Sequence, residues 1–200
     1  MTNQLPSKKK KILEPNDHIV RPWLAPNTFS SEECDRIIEL SEELSVVEGT
    51  VGGGTKENIN ATIRNSTLKW FTLNEESSWI FQRLRSTLRE ANKLYKFNLR
   101  SFGAIQIAHY GVGGHYNTWH SDMGLGLNSL RKLSISVQLS KPEDYDGGKL
   151  EFQALGGEFQ HSRERGTTIV FPPYLTHRVT PVTRGERWSL VVWVIGPPFC

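Results

Sequence analysis

Cysteine is scarce in this chain: only two occur in 200 residues, Cys34 and Cys200, and neither belongs to a Cys-x-x-Cys pair. That excludes a cysteine-built zinc finger, a thioredoxin-like redox motif and a disulfide framework, and it fits a reducing compartment. Long apolar runs are missing as well, so no segment has the length a membrane-spanning helix needs. The Lys8-Lys9-Lys10-Lys11 run is followed only by Ile12 and Leu13 before Glu14, Pro15 and Asn16. This leaves no secretory hydrophobic region, and a cytoplasmic protein without a membrane partner is expected. A dominant charge is lacking too: the net charge is +3, the four lysines account for it, and no nucleic-acid partner is expected. Gly52-Gly53-Gly54-Thr55-Lys56 is not a phosphate loop, because Gly-x-x-x-x-Gly-Lys-Ser/Thr is absent. The segment Gly49–Asn58 reads instead as a surface loop whose glycines would suit a lid over a site.

What is present is an ordinary hydrophobic content of 37 % and six tryptophans, enough for one domain with a sizeable core and too little for two. Residues 1–17 read as a flexible basic tail, and residues 18–200 as a single domain whose first part, 18–100, is helical support. His18 to Leu24 is a short extended segment broken by Pro22. A helix is expected from Ser31 to Leu44, where Ser30 and Glu33 have capping-box spacing and Cys34, Ile37, Ile38 and Ser41 share a stripe. A second is expected from Glu75 to Tyr95, with Ile80, Leu84 and Leu88 on one side and Arg83, Arg85, Arg89 and Glu90 on the other.

From Ser101 the chain turns to short β-rich runs: Ser101–Tyr110, His115–His120, Arg131–Ser140, Lys149–Gln153, Gly157–His161, Thr167–Phe171, His177–Pro181 and Trp188–Ile195. Spacing this regular predicts a sandwich or barrel rather than a parallel α/β sheet. In Arg131–Ser140, Leu133, Ile135, Val137 and Leu139 alternate with Ser134, Ser136, Gln138 and Ser140. Small hydroxyls and one amide suit a confined pocket better than a solvent face, where Lys, Glu and Arg are usual.

The chemistry gathers on four residues. His120 and Asp122 are two apart, so on an extended strand they project to the same side. His177 begins a later strand, after Phe171-Pro172-Pro173. Two histidines and one carboxylate can occupy one face of iron(II) and leave the other positions open for a co-substrate and dioxygen. Arg187 follows at the head of an apolar strand, where an inward guanidinium requires an anionic partner. The distal carboxylate of 2-oxoglutarate would match it bidentately. Zinc accepts the same three ligands, which leaves a zinc-dependent hydrolase as the competing class, but the helical His-Glu-x-x-His of metallohydrolases is absent. An inactive binding domain on the same barrel is the third.

Three runs carry a resemblance: Tyr110 to His120-Ser121-Asp122, then Asp144-Tyr145-Asp146-Gly147-Gly148-Lys149-Leu150-Glu151, then His177-Arg178-Val179-Thr180-Pro181-Val182-Thr183-Arg184-Gly185-Glu186-Arg187-Trp188. Together they resemble the prolyl 4-hydroxylase-like branch of the iron(II)/2-oxoglutarate dioxygenases, nearest to the PKHD-type hydroxylases. The resemblance implies a mainly β fold with flanking helices, a double-stranded β-helix or cupin-like jelly-roll barrel, with its core at 101–197. It implies His120, Asp122 and His177 as iron ligands and Arg187 as the 2-oxoglutarate residue, with Tyr110 and Gln138 beside that co-substrate. The implied reaction is oxidative decarboxylation of 2-oxoglutarate to succinate and CO2, coupled through O2 to hydroxylation of an unactivated C–H bond. Peptidyl proline is the expected target, and a free amino acid or other small molecule the alternative. Ascorbate is the candidate reductant. Tyr116 and Trp119 are candidates to border the substrate entrance, Tyr116 being favoured because it shares a side with His120.

Overall fold

A computed structural model describes residues 14–48, 60–154 and 157–199. The lysine run, the Gly49–Asn58 loop and Cys200 lie outside the described residues. Of the expected tail only its last four residues are described, and there Asn16 Nδ2 already donates to Leu94 O at 2.9 Å.

Helix α1 (Ser31–Glu42) starts at the expected capping box. The Glu33 N–H donates to Ser30 Oγ at 3.2 Å and the Ser30 N–H to Glu33 Oε2 at 2.8 Å, satisfying two amides that the first turn leaves open. Cys34, Ile37, Leu40 and Ser41 are buried along one stripe. The helix stops short of Leu44, whose N–H instead closes a tighter turn onto Ser41 O. Helix α2 (Ser78–Tyr95) buries Ile80, Leu84 and Leu88 as expected. It begins three residues after Glu75 because Asn74 and Ser77 are engaged in a turn of their own. The Ser77 N–H donates to Asn74 Oδ1 at 2.8 Å and its hydroxyl to Thr72 O at 2.7 Å.

The N-terminal hundred residues also supply four short strands: β1 (Trp23–Ala25), β2 (Val47–Glu48), β3 (Arg64–Asn65) and β4 (Thr67–Phe71). Strands of two to five residues carry too little alternation to be read locally; sheet partners define them. The rest are β5 (Ser101–Phe102), β6 (Ile105–Tyr110), β7 (His115–His120), β8 (Arg131–Gln138), β9 (Tyr145–Gly147), β10 (Leu150–Ala154), β11 (Gly157–Gln160), β12 (Thr168–Phe171), β13 (Thr176–Val179), β14 (Val182–Gly185) and β15 (Arg187–Ile195). The expected strand Ser101–Tyr110 is thus two, interrupted at Gly103-Ala104. The stretch around Arg184 forms strand β14, paired with β9.

All pairings are antiparallel. The larger sheet runs β1-β12-β8-β15-β6-β4-β2, with β5 added to β15, and the smaller runs β11-β10-β13-β7-β3. The mainly β architecture with flanking helices is the expected one, but among the described residues no strand pair joins the two sheets into a closed barrel; they form an open sandwich. No helix of the described residues is long and apolar enough to cross a membrane.

Two cores follow from the alternation of side chains. Ile105, Ile107, Leu133, Ile135, Val137, Leu190 and Val192 pack on one face of the larger sheet against α1 and α2. Between the sheets lie Ala108, Tyr110, Ile169 and Phe171 with Leu150, Phe152 and Val179. Each fully buried valine, leucine, isoleucine or phenylalanine among them contributes about 1.5–3 kcal/mol by leaving water. Strand β8 is buried on both faces. Its hydroxyl side, Ser134, Ser136 and Gln138, is no more than 6 % exposed and turns toward the space between the sheets.

Candidate active site

The histidines meet because β7 and β13 are neighbours: His120 and His177 are register partners, and their ring centroids stand 4.3 Å apart. Residues directly opposite on antiparallel strands bring their Cβ atoms within about 5 Å, so strand pairing alone delivers the second imidazole to the first. Asp122 lies two residues beyond the strand. Its N–H donates to Pro173 O at 2.7 Å, which turns the carboxylate back so that Oδ2 lies 3.7 Å from His177 Nε2. One ligand atom from each of the three lies within 4.8 Å of the others.

Both rings are set in the same tautomer. His120 Nδ1 contacts Thr118 O and His177 Nδ1 contacts Leu175 O, each at 2.9 Å. A carbonyl can only accept, so Nδ1 carries the proton and Nε2 presents its lone pair to the centre of the group. Burial, reinforced by the facing His177, lowers the His120 pKa to about 4, which keeps it a neutral donor near pH 7. Burial also pushes the Asp122 carboxyl up, but His177, His120 and the Ser134 hydroxyl outweigh it and hold the carboxyl below its ordinary value. Two imidazoles and a carboxylate are a donor set that fits iron(II).

Arg187 opens β15 on the face turned to the intersheet space and is 1 % exposed. Its Nη1 donates to Ser189 Oγ at 3.2 Å and its Nη2 to Gln138 Oε1 at 3.0 Å. Among the described residues no carboxylate pairs with it. Its Nε and the Gln138 Nε2 are both buried without a hydrogen-bond partner. An isolated buried cation flanked by orphaned donors is costly unless an anion satisfies it. Tyr110, its register partner across β6, sets its ring centroid 5.4 Å from the guanidinium carbon. Gly148 makes room for the arginine: a Cβ there would come within 2.9 Å of Arg187 Cδ, and its φ of +55° disfavours any side chain.

Tyr116 stacks on His120 with centroids 3.6 Å apart, as its shared parity predicts. Trp119 does not join the group. It occupies the opposite face of β7, where the Arg178 guanidinium carbon lies 4.3 Å from its ring centroid, and strand alternation excludes it from the side that carries His120. Several neighbours escaped the sequence reading. Arg131 Nη1 donates to Asp122 O at 2.8 Å while its guanidinium carbon lies 3.9 Å from the Trp193 ring centroid. Arg64 reaches Gln106 Oε1 at 3.0 Å and the face of Tyr116 at 5.0 Å. Ser189 was open to inference from its parity with Arg187, but nothing local marks Arg64. A separate cleft of about 530 Å³ is lined by Asn27, Phe29, Ser30, Glu33, Arg83 and Arg165 among others. It shares no residue with this constellation, and its arginines are already bound to Glu33 and Asp35.

Residues 105–195 match the family model described as 2OG-Fe(II) oxygenase superfamily. A PKHD-type hydroxylase of Synechococcus sp. (strain JA-2-3B'a(2-13)) is 30 % identical over 174 residues, 84 % of this chain and 75 % of the relative. The crystal structure of a Pseudomonas putida prolyl-4-hydroxylase superposes with a TM-score of 0.65 at 23 % identity, covering 88 % of this chain and 92 % of the other. A Trichoplax adhaerens prolyl hydroxylase in complex with a hypoxia inducible factor oxygen degradation domain peptide fragment gives 0.68 at 16 % identity, over 88 % and 83 %. At these identities the structures establish a shared fold, the jelly-roll.

Proposed function

Because the chain belongs to the 2OG-Fe(II) oxygenase superfamily, in its prolyl 4-hydroxylase-like branch with the PKHD-type hydroxylases, we propose that His120, Asp122 and His177 hold its iron and that it hydroxylates peptidyl proline. Family membership makes it an oxygenase using iron(II), 2-oxoglutarate and O2. The assignment of residues and substrate is the proposal. One observation carries it: three donors of the right kind converge within 4.8 Å.

When bound, the iron, the keto acid and dioxygen supply the oxidising chemistry, with succinate and CO2 as co-products. The chain's residues position and exclude. The Nδ1–carbonyl contacts keep both imidazoles aimed, and Tyr116, flat against His120, limits that ring's motion. Arg187, with Gln138 and Tyr110, receives the distal carboxylate of the co-substrate, to which Arg187 Nε and Gln138 Nε2 offer donors that otherwise have no acceptor. Strand β8 joins the two ends. At about 3.3 Å per residue, Ser134 beside Asp122 and Gln138 beside Arg187 stand roughly 13 Å apart along the strand, a span that accommodates a five-carbon diacid lying between the side chains. The peptide substrate is supported by the Trichoplax adhaerens neighbour, which was solved with a peptide fragment.

The test begins anaerobically. Iron(II) and 2-oxoglutarate should give a visible metal-to-ligand charge-transfer band. Admitting O2 with proline-containing peptides should then raise succinate release and add one oxygen to the peptide mass. A band without peptide oxidation, together with oxidation of a free amino acid, would overturn the peptidyl substrate. No band in wild type would overturn the site.

A further inference from the structure

We infer that Ser134 is a positioning residue for Asp122, its hydroxyl fixing the rotation of the carboxylate so that one oxygen is presented toward the two histidines. The inference rests on the reading of His120, Asp122 and His177 as a metal site.

Asp122 is held at three points, one in the turn before β13 and two on strand β8. Its N–H donates to Pro173 O at 2.7 Å, in the turn before β13. Its carbonyl accepts from Arg131 Nη1 at 2.8 Å. Both contacts fix the backbone and leave the carboxylate free to turn about its last bond. The third contact removes that freedom: Ser134 Oγ donates to Oδ2 at 2.7 Å, the same oxygen that lies 3.7 Å from His177 Nε2. A carboxylate without such a tether can swing to give a cation both oxygens, and that would occupy a position a co-substrate or dioxygen needs.

Ser134 suits this task because it cannot itself move. It sits in the middle of the larger sheet, paired with Phe171 on β12 and with Trp193 on β15, and is fully buried at 0 % exposure. The bond crosses from the larger sheet to the segment that follows β7 in the smaller one. Thus the ligand supplied by one sheet is aimed by the other. Hydrogen bonds to metal-ligating groups commonly govern metal affinity by 10–100-fold.

The test uses the full chain without 2-oxoglutarate, titrated with cobalt(II) as a stand-in divalent cation and followed by calorimetry and visible absorption. Ser134→Ala should raise the cobalt dissociation constant about 10–100-fold and alter the visible spectrum, while Ser134→Thr, which keeps the hydroxyl, restores both. In an Asp122→Ala background, Ser134→Ala should weaken cobalt binding no further, because its only route to the metal is gone. A role in packing alone would lower thermal stability in every background and leave the cobalt spectrum untouched. Wild-type affinity and spectrum in Ser134→Ala would overturn the inference, as would an equal additional loss in the Asp122→Ala background. Failure of the underlying reading looks different: wild type would bind no cobalt, or Asp122→Ala would bind it as tightly as wild type, and the inference would fall with it.

Discussion

At the scale of single residues, the most telling side chain is one whose charge meets no carboxylate among the described residues. Arg187 is buried with two donated hydrogen bonds and a third donor unmatched, a setting that suits an anionic ligand. Replacing it should therefore act on binding far more than on folding. Arg187→Met is expected to weaken 2-oxoglutarate binding roughly 10–100-fold, the worth of charge-assisted hydrogen bonds of about 1.5–3 kcal/mol, with no loss of thermal stability in the ligand-free protein. Gly148→Ala should weaken the same binding through displacement of the arginine, since the added methyl meets Arg187 Cδ. Calorimetric titration and thermal melting of both variants decide the matter, and unchanged 2-oxoglutarate affinity in Arg187→Met would remove it from the site. The sequence reading reached Arg187, but through its place before an apolar strand. That no carboxylate among the described residues pairs with it depends on what the folded chain puts around it.

At the scale of elements, α1 and β8 show what local pattern can and cannot carry. The capping box of α1 is fixed by residues three apart, and it forms as Ser30 and Glu33 predict. Ser30→Ala should cost about 1 kcal/mol and lower the melting temperature by about 2–4 °C for a domain of this size, a shift that thermal unfolding can resolve and that Ser30→Asp should largely reverse. Along β8 the alternation of aliphatic and hydroxyl residues was legible, and the hydroxyl side does face the site, through Ser134 to Asp122 and Gln138 to Arg187. By contrast β3, two residues long, was invisible. Its identity comes from pairing Arg64 with Tyr116 on β7, a partner 52 positions away, and no window along the chain contains both.

At the scale of the whole molecule, two half-buried imidazoles shape the response to acid. Burial lowers His161 to about 4, and burial with the facing His177 does the same to His120, whereas in an unfolded chain a histidine titrates near 6.5. Between pH 6.5 and 4 the unfolded state therefore binds more protons than the folded one, and folding stability falls as pH falls through that window. Thermal melts in the presence of a chelator should show a melting temperature that is level above pH 6.5 and declines steadily toward pH 4. A level profile down to pH 4 would contradict the burial of these rings. Adding a divalent cation should raise the melting temperature at neutral pH and lose that effect as the imidazoles protonate, because the ion binds the folded chain in competition with protons.

Composition, spacing and alternation by themselves gave a mainly β fold with two amphipathic helices, and with the resemblance they singled out His120, Asp122, His177 and Arg187 as candidates. Residue type and near-neighbour geometry are local properties, and they can be read wherever the pattern is long enough. The tertiary structure alone decided that His120 and His177 become register partners, that Trp119 faces away, that the sheets stay open, and that Ser134 reaches across from one sheet to steady the carboxylate carried by the other. Those outcomes depend on contacts between segments far apart in the chain, set by which strands pair and which faces close on one another, and that information is distributed over the whole fold.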